Sequence, residues 1–106
     1  MFTVKIMNEF IHSPLWIYDE DSIIDEPEFI ANDAKLQDLC NKVENMFSSY
    51  YEFDSHNEPC WFNHEKEKAE KNIMLKLISC IKERLAEIND GNFVVEDLET
   101  ERLKNL

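Results

Sequence analysis

Two apolar stripes with helical spacing place the strongest limit on how this chain of 106 residues can fold. The first predicts a helix over about residues 33–51, with Asn32 or Asp33 as its N-cap. The second predicts a longer helix that begins after its candidate N-cap, Asn63, and ends before Gly91. Because each stripe must be buried against another element, the helices need a further layer to pack on. The stripes comprise Leu36, Leu39, Cys40, Val43, Phe47 and Tyr50, then Ile73, Met74, Leu77, Ile78, Ile81, Leu85 and Ile88.

Segments with strand character lie near both ends of the chain. Residues 2–10 (FTVKIMNEF) alternate between apolar and polar side chains, while 15–18 (LWIY) and 93–97 (FVVED) are rich in β-branched and aromatic residues. We therefore predict a single α+β domain over residues 1–106. Its two long helices pack on a small sheet formed by N-terminal and C-terminal strands.

Composition removes several classes of protein. The chain has one glycine, so neither the glycine-rich dinucleotide fingerprint nor the phosphate-binding P-loop can be present. It has no long apolar run and no signal-peptide pattern at the N-terminus. Its three cysteines include no CxxC pair, which favours a reducing compartment. These features predict a cytoplasmic protein without a membrane-spanning segment.

The negative charge is distributed unevenly. The formal net charge is −12, and residues 1–62 hold 13 acidic residues against three lysines. A field of this sign repels nucleic acid and anionic lipid, whereas it attracts a cationic protein and accelerates its approach. The charge therefore predicts a basic protein partner and no direct binding to nucleic acid or membrane.

Residues 19–28 (DEDSIIDEPE) form an acidic segment that we predict to be a loop, since six of its ten residues are acidic. A solvated loop is one interpretation. The other is a recognition surface in which exposed apolar residues (Trp16, Tyr18, Ile23 and Ile24) act as anchors inside an acidic rim. The candidate partner-binding residues are Trp16, Tyr18, Asp19, Glu20, Asp21, Asp25, Glu26, Tyr51, Glu52 and Asp54, of which Tyr51 lies just off the first stripe and is expected to be exposed.

A candidate metal site lies in residues 53–64 (FDSHNEPCWFNH). His56, Cys60 and His64 recur at four-residue intervals. They would share one face only in a helix, and Pro59 among polar neighbours predicts a loop instead. A structural zinc site also needs a second group of ligands, which the sequence lacks. A zinc-binding protein or metal-dependent hydrolase that uses these three residues remains an alternative.

No catalytic constellation stands out. Thiol catalysis at Cys60 is disfavoured because the neighbouring carboxylates oppose a thiolate, and the CWF motif predicts that Cys60 is a small buried hydrophobe. The acids of residues 19–28 form a hydrated run, whereas a glycosidase needs one buried carboxyl beside a sugar cleft. We therefore expect a protein that is not an enzyme and that carries neither a cofactor nor a metal.

The segment SPLWIYDED, from Ser13 to Asp21, resembles immunity proteins of contact-dependent growth inhibition and related polymorphic toxin systems of bacteria. The small size and acidic charge of the chain are similar as well. The resemblance implies an antitoxin that binds a cognate toxin domain one-to-one and blocks its active site. Many such toxins are basic nucleases (RNases or DNases). An adaptor that binds a basic protein unrelated to toxins is the other alternative left open.

Overall fold

The computed structural model of the chain describes residues 1–20, 22–55 and 58–106, apart from the side chains of residues 54, 55 and 58. Within these residues the fold is mixed α+β, as predicted, with two long helices and a four-stranded sheet of N-terminal and C-terminal strands. The elements are β1 (Phe2–Ile6), β2 (Leu15–Asp19), β3 (Ser22–Ile23), α1 (Glu28–Ala31), α2 (Ala34–Ser48), β4 (Tyr51–Ser55), β5 (Glu58–Phe62), α3 (His64–Ala69), α4 (Lys71–Ile88), β6 (Phe93–Asp97) and α5 (Thr100–Lys104).

The larger sheet has the strand order β3-β2-β1-β6. Strand β1 pairs antiparallel with β2 and parallel with β6, which sets Val4 opposite both Ile17 and Val95. The predicted pairing of the strand near Phe93 with the N-terminal strand is therefore confirmed. The strand predicted over 2–10 is shorter, because it ends at Ile6 and the chain then turns back towards β2.

One face of this sheet and the two helical stripes form the core. Helices α2 and α4 pack against each other, and the stripes face the inward side chains of the strands. Ile73 departs from the prediction, since 59% of it is exposed. The buried members are Val4, Ile6, Leu15, Ile17 and Phe93 from the sheet, with Leu36, Cys40, Val43, Phe47, Tyr50, Met74, Ile78, Ile81 and Leu85 from the helical stripes.

The predicted N-caps are present. The Asp33 carboxylate accepts a hydrogen bond from the Leu36 backbone N–H at 2.8 Å, and the Asn63 side chain accepts one from Lys66 N–H at 2.9 Å. Arg84 of α4 also donates to both Asp33 oxygens, with Nε at 3.1 Å from each. This hydrogen bonding from Arg84 is the main reason that the pKa of Asp33 lies below its usual value. One side chain thus caps α2 and joins it to α4.

The prediction of a loop over residues 53–62 is wrong for the described part. Strands β4 and β5 pair as an antiparallel hairpin, with Tyr51 opposite Phe62 and Phe53 opposite Cys60. Helix α2 accordingly ends at Ser48 rather than near 51. The hairpin forms because Phe62 packs onto the end of the core, where its ring centroid is 5.7 Å from that of Phe47.

The hairpin also reverses two burial predictions. Tyr51 is half-buried, with its ring 5.0 Å from Phe62 and 4.7 Å from Phe10, whereas the sequence predicted an exposed side chain. Cys60 is exposed, whereas the sequence predicted a buried one. Cys60 and its partner Phe53 lie farther out along the hairpin, beyond the end of the core, and Phe53 is 56% exposed.

The second long helix is interrupted at Glu70, which separates α3 from α4. The polar residues of α3 are not all exposed to solvent, because Glu67 is 2% exposed and its carboxylate binds Arg102 of α5 at 2.8 Å. The acidic segment likewise differs from the predicted loop, since residues 22–23 form β3 and residues 28–31 form α1.

Candidate protein interface

The face of the larger sheet that points away from the core carries two of the predicted anchors. The register sets Tyr18 between Thr3 and Ile23, and Lys5 between Trp16 and Glu96. These side chains alternate with the buried ones, so they all lie on the side opposite the helices. We call this surface the open sheet face; it consists of Thr3, Lys5, Trp16, Tyr18, Ile23, Val94 and Glu96.

The apolar side chains of the open sheet face are held in place yet remain accessible. Trp16 donates a hydrogen bond from Nε1 to the Met7 carbonyl oxygen at 2.9 Å, and its ring stacks on His12 with the centroids 3.9 Å apart. Ile23 is 62% exposed and Val94 is 49% exposed. A rigid aromatic side chain beside exposed aliphatic ones is a favourable arrangement for protein recognition, because little side-chain entropy is lost on binding.

Two carboxylates lie beside Tyr18 and Lys5 of this face, Glu20 in the turn after β2 and Glu96 on the edge strand β6. Glu20 and Glu96 line a shallow concavity with Thr3, Lys5 and Tyr18, and the Lys5 ammonium lies 4.6 Å above the Tyr18 ring. Glu20 has a left-handed backbone, with φ of 55°. This conformation costs a residue other than glycine about 1 kcal/mol, so the turn holds a carboxylate where a glycine would be more stable.

Asp19, Asp25 and Glu26 lie at other borders of the same region. Asp19 is exposed and shares a second concavity with Met1, Phe2, Ile24, Phe29 and Asn92. Asp25 and Glu26 line a cleft of about 320 Å³ beside Trp16, between strand β2 and the segment 23–26. Six of the predicted partner-binding residues are thus arranged around β2: Trp16, Tyr18, Asp19, Glu20, Asp25 and Glu26.

The other predicted residues belong to a different place or lie outside the description. Tyr51 and Glu52 are on β4 of the hairpin, where Tyr51 packs on Phe10 and Glu52 accepts a hydrogen bond from Asn63 Nδ2 at 2.8 Å. Asp21 lies outside the described residues, and the side chain of Asp54 is not described. The sequence therefore grouped residues that the fold separates between the sheet and the hairpin.

Three residues that complete the open sheet face were not among the predicted partner-binding residues. Val94 and Glu96 reach it through the parallel pairing of β6 with β1, and Lys5 joins them from β1. The alternation of FVVED contained the signal, because its even-numbered residues share one side of the strand. Combining that alternation with the predicted pairing to β1 would have placed them.

A buried ionic cluster lies where α3 meets α5. Glu67 and Glu99 are 2% and 3% exposed, and Arg102 binds both carboxylates, at 2.8 Å and 2.7 Å. Burial disfavours the charged guanidinium, but the hydrogen bonds that Arg102 donates to Glu67 and Glu99 outweigh it and raise the Arg102 pKa above its usual value. The cluster joins α3 to α5 and has a structural role.

The structure describes two of the three candidate metal ligands, Cys60 and His64. Among the side chains of residues 1–20, 22–53 and 59–106, no group of three His, Cys, Asp or Glu is arranged to hold a metal ion. Cys60 lies on a strand and His64 begins α3, where its ring packs on Phe62 with the centroids 4.7 Å apart. His56 lies outside the described residues.

No family model, curated protein or solved structure matches this chain. No helix in the described part of the chain combines the length and the apolar character needed to cross a bilayer. The function must therefore be argued from the open sheet face and its acidic border.

Proposed function

We propose that this chain is a small acidic immunity protein of the cytoplasm that binds and neutralises a cognate basic toxin domain, a nuclease, in a one-to-one complex. The observation that carries this proposal is the open sheet face, where anchored aromatic residues and exposed aliphatic ones are bordered by carboxylates. Such a face suits a protein partner with apolar residues at the centre of its interface and positive charge around them.

The chemistry of inhibition follows from the carboxylates. A nuclease holds phosphate groups with lysine, arginine or protonated histidine, and a carboxylate can occupy the same positions through charge-assisted hydrogen bonds. Coupling energies for close charge pairs at such interfaces reach about 1.5–7 kcal/mol. Glu20 and its acidic neighbours around β2 are the groups that would enter the toxin active site, while Tyr18 and Ile23 contribute apolar contact.

The overall charge supports rapid binding. An antitoxin has to reach the toxin before many turnovers have occurred, so fast association is a physical requirement. A net charge of −12 attracts a basic domain over long range, and steering of this kind raises association rates towards roughly 10⁸ M⁻¹s⁻¹ at low salt.

The direct test uses the basic C-terminal toxin domain that the proposal expects a large upstream gene to encode. We expect its nuclease activity to fall to zero at one equivalent of this protein. Ile23→Ala should weaken the complex about tenfold or more, since loss of an interface anchor costs more than 1 kcal/mol. Ile73→Ala is the matched control, because Ile73 is similarly exposed (59% against 62%) but lies on α4.

Two results would contradict the proposal. One is nuclease activity that survives a clear excess of this protein. The other is an equal effect of the Ile23 and Ile73 substitutions on the affinity. Binding to the basic domain without loss of nuclease activity would identify the chain as an adaptor instead.

A further inference from the structure

We propose that the cleft beside Trp16, defined by Leu15, Trp16, Ile17, Ile24, Asp25 and Glu26, receives an arginine side chain of the basic partner. This inference rests on the proposed function, because it names the partner group that would anchor the complex. The cleft adjoins the open sheet face, with which it shares Trp16 and Ile23, and extends past that face to the edge of β2 that the two-residue strand β3 leaves uncovered.

The size and lining of the cleft suit one long side chain. Its volume of about 320 Å³ is at the lower limit for sites that hold small organic molecules. The lining mixes polar with apolar surface, and Ile23 and Ile24 are its exposed aliphatic members. An arginine places its aliphatic stem against such a surface while its charged end remains near polar groups.

The cleft offers acceptors that match a guanidinium. Its described lining holds two carboxylates, Asp25 and Glu26, beside the polar residues His12, Ser13 and Gln37, and includes no lysine or arginine. Glu26 receives a long hydrogen bond of 3.4 Å from Gln37 Nε2, whose shorter bond of 3.0 Å is to the Ile30 carbonyl oxygen. A carboxylate offers about four acceptor sites, so Glu26 keeps capacity for a planar group with five N–H donors.

The backbone of β2 contributes a further acceptor at this edge. The Pro14 carbonyl accepts from Met7 N–H on the β1 side, whereas the Ile17 carbonyl accepts from Ile24 N–H on the opposite side. Backbone groups alternate along an antiparallel strand, so the Leu15 carbonyl points to the same side as that of Ile17. The Leu15 carbonyl therefore points towards the cleft.

The geometry favours arginine over lysine. The Trp16 indole forms one wall, and its stacking on His12 and its bond to Met7 fix the orientation of that wall. A flat guanidinium packs on an aromatic surface and donates to several acceptors at once, whereas an ammonium is a compact, strongly hydrated charge.

The test uses a small probe and needs no toxin. The full chain, labelled with ¹⁵N, is titrated with the blocked amino acid N-acetyl-arginine methylamide, and the Trp16 Nε1–H signal and the amides of residues 23–26 are followed. We expect saturation with a Kd on the order of 1–10 mM. The neutral citrulline analogue and the lysine analogue should each bind at least about fivefold more weakly, since they lack the charge and the planar fork respectively.

Matched variants locate the site. Glu26→Gln combined with Asp25→Asn should weaken binding of the arginine probe at least about fivefold, whereas Glu96→Gln, a carboxylate change on the open sheet face outside the cleft, should leave it unchanged. Equal binding of all three probes, or an equal loss in the Glu96 variant, would overturn the inference. If the probes do not bind as expected but the chain still inhibits the toxin, only the assignment of the cleft is wrong. If the chain does not inhibit the toxin, the proposed function itself is wrong.

Discussion

Asp33 shows how much one residue can determine locally. Its carboxylate caps α2 and is held by Arg84 of α4. A short polar residue before an apolar stripe is a strong local signal, so the caps at Asp33 and Asn63 were predictable from sequence. The partner Arg84 was not, because it lies 51 residues away and only tertiary packing brings it there.

Substitutions at Asp33 separate the two roles of its side chain. Asp33→Ala removes both the cap and the charge, while Asp33→Asn keeps an equally good capping group. We expect the alanine variant to be about 1 kcal/mol less stable than the asparagine variant, as measured by urea denaturation. Equal stability of the two variants would contradict the capping role.

The same pair predicts a pH dependence. The pKa of Asp33 is lowered in the folded chain by hydrogen bonding to Arg84. A carboxyl with a lowered pKa stabilises the fold above its unfolded pKa of about 3.9, and this contribution is lost as the pH falls through the folded pKa. The stability gap between the wild type and Asp33→Asn should therefore close below about pH 4.

At the scale of elements, the helices were predictable and the hairpin was not. The stripes of α2 and α4 contain enough apolar residues at helical spacing to be recognised without tertiary information. The β4–β5 hairpin was obscured by Pro59 and by its acidic residues, which suggested a loop. Proline is tolerated on edge strands, and in a two-stranded sheet both strands are edges. The position of α5 depends on Arg102, whose partner Glu67 is 35 residues away.

Replacing Arg102 should weaken the attachment of α5 and lower the stability of the fold. Arg102→Ala leaves the Glu67 and Glu99 carboxylates buried without their shared partner. Because Arg102 itself is partly exposed, we expect a loss of about 2–3 kcal/mol, at or below the lower end of what breaking a buried pair costs. Thermal or urea denaturation measures it, with Lys104→Ala, an exposed change on the same helix, as a control expected within about 0.5 kcal/mol. Equal stability of the two variants would exclude the structural role of the cluster.

At the scale of the whole molecule, the fold class could be predicted, but the grouping of side chains around β2 only in part. The sequence singled out Trp16, Tyr18 and Glu20 as candidate partner-binding residues from their aromatic and acidic character, and the fold places all three around β2. It did not predict that Tyr51 and Glu52 would lie on the hairpin, nor that Val94 and Glu96 would join the open sheet face. Those placements depend on long-range strand pairing, which determines which side chains become neighbours.

Under the proposed function, the chain is a binding protein whose negative field captures a basic partner. In that complex the anchors and the cleft would give specificity after contact, while the net charge of −12 would govern the encounter. These two contributions respond differently to salt, since screening weakens the long-range field much more than it weakens desolvated contacts.

The most direct test is the association rate constant with the basic toxin domain, measured by stopped flow across a range of salt. For the wild type we predict a fall of about tenfold or more between about 0.05 M and 0.5 M salt. The combined substitution Asp19→Asn, Glu20→Gln and Asp21→Asn should lower the rate at low salt and flatten this dependence. An association rate that is unaffected by salt and by the triple substitution would contradict the account.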